Sequence, residues 1–109
     1  MNASCTYAVQ AEFDDPAVAD EWVAWLRDEH LDDVLAAGAL DAEVVRWEGE
    51  SIHVSVRYLF ADRRAFTRYE EEQAPRLRDE GLRRFPPERG IRYARAVGAV
   101  CARAASAST

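Results

Sequence analysis

The chain has 109 residues, 49% of them apolar and 31% charged, with a formal net charge of −6. That fits a single globular domain able to bury a core without disulfide or metal staples. No apolar run approaches the roughly 18 residues of a membrane span, and residues 1–7 lack the basic and apolar stretches of a secretory signal. The expectation is a cytoplasmic protein with no membrane partner.

Residues 5–13 alternate, with Tyr7, Val9, Ala11 and Phe13 on one face, the signature of a half-buried strand. Asp15 then caps a helix with Pro16 at its first position. At about 100° per residue, Ala19, Trp22, Val23, Leu26, His30, Val34 and Ala37 form one apolar stripe, and a kink is expected at residues 31–33 before Gly38 ends the helix. His30 therefore faces the core, where an imidazole needs a hydrogen-bond partner or a cavity. It is a candidate general base, or a structural histidine that bonds a backbone carbonyl.

Residues 41–48 read as a second strand, residues 48–51 as a turn and residues 52–60 as a third strand, the last two strands joined as a hairpin. Asp62 caps a second helix whose stripe is Ala65, Phe66, Tyr69, Gln73 and Leu77. Pro75 forces a kink or restart near Ala74, and Gly81 with Pro86-Pro87 ends the helical region. Residues 91–101 form a fourth strand. Residues 1–101 thus make one domain and residues 102–109 a flexible tail.

The order β-α-β-β-α-β is the ferredoxin-like pattern of an α+β fold: a four-stranded antiparallel sheet with two helices on one face. In strand order 4-1-3-2, Cys5 and Cys101 come close at core-face positions, as two reduced thiols rather than a bridge. The face left open carries Glu43, Val45, Trp47, His53, Ser55, Arg57, Leu59 and Arg92, among others. Large apolar groups there predict a homodimer in which two sheets pack face to face around a polar-lined cavity. His53 is the second candidate for proton transfer. Arg57 and Arg92 would hold an anionic group with Ser55, and Trp47 and Leu59 would supply apolar contact. The same residues also fit plain interface polarity.

Charge is uneven: residues 1–56 sum to −11 and residues 57–109 to +5. The basic half is interleaved with acids and shows no nucleic-acid motif, so the expectation is mutual neutralisation rather than a nucleic-acid partner. All fourteen basic residues are arginine, which removes Schiff-base and phosphate-loop lysines. The two histidines and two cysteines show no metal-ligand spacing, and neither a metal nor a cofactor is expected.

The pattern Trp22-x2-Trp25-Leu26-x3-His30-x3-Val34-Leu35-x2-Gly38, followed by Tyr69-x4-Ala74-Pro75-x-Leu77-Arg78, resembles a small bacterial family of unknown function among the dimeric α+β barrel proteins. The resemblance covers roughly residues 5–100. The family pattern has Ile-Pro after the histidine where this chain has Leu31-Asp32. The resemblance implies the dimeric barrel but no reaction, since the superfamily spans cofactor-free monooxygenases, haem-degrading oxygenases, isomerases and stress-response proteins. Two readings follow. One is a dimer with a cavity for an aromatic or amphipathic small molecule, with cofactor-free oxygenase or isomerase chemistry. The other is a non-catalytic dimeric interaction module.

Overall fold

The computed structural model describes residues 3–107. Four strands, β1 (Cys5–Phe13), β2 (Asp41–Trp47), β3 (Ile52–Phe60) and β4 (Ile91–Ala99), form one antiparallel sheet in the order β2-β3-β1-β4. This is the expected ferredoxin-like arrangement. Between β1 and β2 the chain forms α1 (Pro16–Trp25), a π-helical turn (Leu26–His30) and α2 (Leu31–Ala36); between β3 and β4 it forms α3 (Arg63–Glu72) and α4 (Ala74–Arg84).

Local chemistry sets the ends of these helices. The Asp15 carboxylate accepts from the Ala17 N–H at 2.9 Å, with Pro16 behind it where no donor is needed. Asp62 accepts from the Ala65 N–H at 2.8 Å. Pro75 has no N–H to continue α3, so the chain breaks at Gln73 and restarts, as the sequence predicts.

The core lies between the helices and one face of the sheet. Tyr7, Ala11 and Phe13 of β1 and Val54, Val56, Tyr58 and Phe60 of β3 meet Trp22, Trp25 and Leu26 from the first helical segment and Phe66, Tyr69 and Leu77 from the second. Ring pairs such as Phe60–Phe66 and Phe60–Tyr69, with centroids 5.3 and 5.2 Å apart, knit the second segment to the sheet.

Several details differ from expectation. The first helix does not kink at residues 31–33; it widens into the π turn at Leu26–His30, where the Leu31 N–H reaches the Leu26 carbonyl. Gly81 does not end a helix, because α4 continues to Arg84. Its missing side chain instead admits the Trp25 indole, which would lie 3.1 Å from a Cβ placed there. β4 stops at Ala99, which pairs with Cys5, so Cys101 falls two residues past that pairing. Cys5 is buried and Cys101 exposed, both as free thiols, which corrects the expectation of two core-face cysteines. Residues 101–107 are exposed and lie in no helix or strand. The last two residues of the expected tail, Ser108 and Thr109, lie outside the described residues.

Part of the charge asymmetry is neutralised within the chain. Arg57 pairs with Asp41 and Glu43, Arg84 with Glu29, Arg89 with Glu21, and Arg92 with Asp14 and Glu12. In each pair an arginine from the basic half meets an acid from the acidic half. No helix is long and apolar enough to cross a membrane among the described residues.

Candidate functional site

An aromatic-walled cleft lies between the helices and the sheet, with a free interior of about 60 Å³. That volume holds a few water molecules. It lies well below the roughly 300–1,000 Å³ of sites that enclose a drug-sized ligand. Anything larger must extend through the mouth, where Arg78 and Arg95 are exposed.

His30 lines this cleft through the π turn. Its imidazole stacks on Trp25 with centroids 4.3 Å apart at 20°, and meets the edge of Tyr58 at 6.4 Å. Two residues five apart do not superpose on a regular helix of 3.6 residues per turn; the wider turn brings them together. Inserted π turns of this kind recur at functional sites. Burial pushes the His30 pKa down to about 4, against a smaller upward pull from Asp33. The ring is therefore neutral at pH 7, with one nitrogen donating and one accepting. It makes no bond to a backbone carbonyl: among the described residues its nitrogens have no hydrogen-bond partner.

The tyrosines share this condition. Tyr58 and Tyr69 are 1% and 5% exposed, and among the described residues neither hydroxyl has a hydrogen-bond partner. Trp25 Nε1 is also buried and unpaired. Tyr7 stands directly across from Tyr58 on β1, ring centroids 6.0 Å apart, and lies 6.4 Å from Tyr69. Its hydroxyl oxygen accepts from Arg95 Nε at 3.1 Å. Burial holds the Tyr69 phenol up at about 12, with Tyr7 adding to the rise and Arg78 and Arg95 opposing it. Burial likewise raises Tyr58, with Tyr69 and Tyr7 contributing. Tyr93, pushed up to about 12 chiefly by burial, differs in donating to the Phe85 carbonyl at 2.8 Å.

The other sequence-predicted residues lie on the opposite face of the sheet. Trp47 Nε1 donates to Ser55 Oγ at 2.9 Å, and His53 Nε2 lies 2.6 Å from Gln10 Oε1. Trp47 also stacks on His53 at 6.4 Å. Arg57 and Arg92 do not converge: one sits opposite Ala8 and the other opposite Glu12, and each is bound by two carboxylates. Leu59 is 5% exposed and outside the core cluster. The structure therefore brings His53, Trp47 and Ser55 together and keeps all of them apart from His30. Among the described residues no cluster of three or more His, Cys, Asp or Glu is placed to hold a metal.

Sequence reasoning missed Trp25, Tyr7, Tyr58, Tyr69, Arg78 and Arg95 as site residues. A signal for Arg95 was present: with Ile91 and Tyr93 it occupies the core-facing parity of its strand, an unusual place for a guanidinium.

A family profile described as "Domain of unknown function (DUF4286)" matches residues 4–89. No curated protein matches the chain. Among solved structures, a dimeric ferredoxin-like protein from an uncultured marine organism superposes with a TM-score of 0.73 at 16% identity, covering 94% of this chain and 100% of that one. SnoaB, a cofactor-independent oxygenase from Streptomyces nogalater, superposes with a TM-score of 0.63 at 13% identity, covering 97% and 99%. A putative antibiotic biosynthesis monooxygenase from Bacteriodes thetaiotaomicron gives 0.56 at 14%, covering 96% and 95%. At these identities the likeness is one of fold.

Proposed function

The chain belongs to the DUF4286 family, and from that premise we propose that it is a homodimer that binds an aromatic or amphipathic small molecule in the cleft beside His30. One observation carries the reading. Four side chains bring polar groups without partners, the His30 ring, Trp25 Nε1 and the Tyr58 and Tyr69 hydroxyls, to a single aromatic-walled cleft. A buried polar group left unpaired costs about 1–3 kcal/mol; Trp25 Nε1 is such a group, and the His30 ring and the two hydroxyls open on the cleft add groups that an occupant can bond. The chemistry open to such a set is proton transfer from an acidic group of the ligand, for which the His30 imidazole, held near a pKa of about 4 by burial, becomes an effective base only as negative charge on the bound ligand raises that value. Cofactor-free oxygenation and isomerisation both begin from that step.

The open sheet face serves the dimer. Trp47 is 53% exposed there, and the polar side chains around it are already bonded to one another or to carboxylates. A surface whose polar side chains are already paired leaves few groups without partners when it docks against a second copy, and exposed Trp47 supplies apolar area. His53, Ser55, Arg57, Arg92 and Leu59 are on this reading interface residues. The same observation favours the second reading, a non-catalytic dimeric module, if the cleft holds only water.

Native mass spectrometry of the gently purified protein tests both parts. The expected result is a two-chain mass carrying a small molecule that is lost in His30→Leu and kept in His53→Leu. A one-chain mass at micromolar concentration overturns the dimer. An adduct kept in His30→Leu and lost in His53→Leu moves the site to the open face.

A further inference from the structure

We propose that the cleft takes a small organic anion with a flat apolar body, its oxygens set against the hydroxyls of Tyr7, Tyr58 and Tyr69 and the guanidiniums of Arg78 and Arg95. The inference rests on the cleft being a ligand site and names the class of ligand.

The argument is one of donors without acceptors. Tyr58 and Tyr69 each have a hydroxyl hydrogen with nothing in the described protein to receive it. The Tyr7 oxygen already accepts from Arg95, so its own hydrogen is free to donate. Tyr58 and Tyr69 flank Tyr7, with ring separations of 6.0 and 6.4 Å, and all three line the one cleft. Two arginines line the same cleft and no aspartate or glutamate does, whereas Arg57, Arg84, Arg89 and Arg92 elsewhere are each held by carboxylates. Arg95 bonds the Tyr7 hydroxyl in the cleft, and among the described residues Arg78 has no hydrogen-bond or ion-pair partner.

A cation would meet two guanidiniums and no counter-charge. A neutral molecule would satisfy some hydroxyls but leave the positive rim unused. An oxyanion accepts from all five groups, and charge-assisted bonds of this kind are roughly twice as strong as neutral ones. The stacked Trp25–His30 pair supplies the wall against which a flat body lies. A neutral imidazole there adds no charge of its own.

The test measures binding of benzoate and of benzyl alcohol, which share a ring and differ in charge, by quenching of tryptophan fluorescence. Benzoate is expected to bind at least about tenfold tighter. Arg78→Gln and Arg95→Gln, exposed positions whose folding is checked by thermal melting, should each weaken benzoate about fivefold or more and leave benzyl alcohol unchanged. Equal affinities for the two probes, or arginine variants that bind benzoate like the wild type, overturn the anion assignment while leaving the cleft as a ligand site. If neither probe binds at millimolar concentration, the assignment and the small-molecule reading both fall.

Discussion

On the open face of the sheet Trp47 is bonded to Ser55, His53 to Gln10, and Arg57 and Arg92 to pairs of carboxylates. On the helix face the His30 ring, the Tyr58 and Tyr69 hydroxyls and Trp25 Nε1 have no hydrogen-bond partners among the described residues, and Trp25 Nε1 is fully buried. Both faces mix aromatic and polar groups, and by residue type alone the open face looks richer. What separates them is satisfaction. A polar group that has a partner is part of the scaffold, and several without one around a single cleft mark where something else can bind.

The largest way to break this contrast is Trp25→Ala. The indole fills the space that Gly81 leaves open and supports His30 and Phe85, with centroids 4.3 and 5.4 Å away. Its loss should cost about 3–5 kcal/mol in a denaturant titration, and His30 should return toward ordinary histidine behaviour. Trp47→Ala on the other face should cost far less in the folded chain.

Next in size is a pH effect confined to one face. His30 has a folded pKa of about 4, below its ordinary 6.5. Between those values the unfolded chain binds a proton that the folded chain refuses. Stability is therefore complete above about pH 6.5 and declines as pH falls toward 4, by up to about 3 kcal/mol. His30→Gln should flatten that part of the stability–pH curve, and His53→Gln should leave it unchanged. A curve identical in all three proteins would mean that His30 is solvated.

Smaller effects sharpen the same point. Tyr58→Phe removes a hydroxyl that lacks a partner, so stability should change by less than about 1 kcal/mol, in either direction. Arg92→Ala breaks two ion pairs at the exposed surface, and its effect on stability should be the smallest of these and shrink with added salt. A large loss from Tyr58→Phe would reveal a partner for that hydroxyl and weaken the case for the cleft.

The fold was legible because its signals are local and repeated. The alternation over residues 52–60, the Asp15-Pro16 and Asp62 caps and the break at Pro75 each have one physical meaning, and together they allow few topologies. His30 was legible too, as a polar residue on an apolar stripe. Its partner Trp25 was not, because the 3.6-residue period that exposed the stripe places Trp25 off it; only the π turn brings the two rings together. The tyrosines read as ordinary core residues, since a strand pattern reports which face a phenol occupies but not whether its hydroxyl finds an acceptor. The open face drew attention for the opposite reason: its polar residues are conspicuous in sequence, while the bonds that satisfy them depend on register.

Nature supplies one histidine to each face, so a single NMR experiment reads both. The ring-proton signals of His30 and His53 would be followed at pH 7 while benzoate is added. The account predicts that His30 moves with saturation and His53 stays in place. Movement of His53 with His30 unchanged would put the ligand on the open face and contradict the assignment of the cleft.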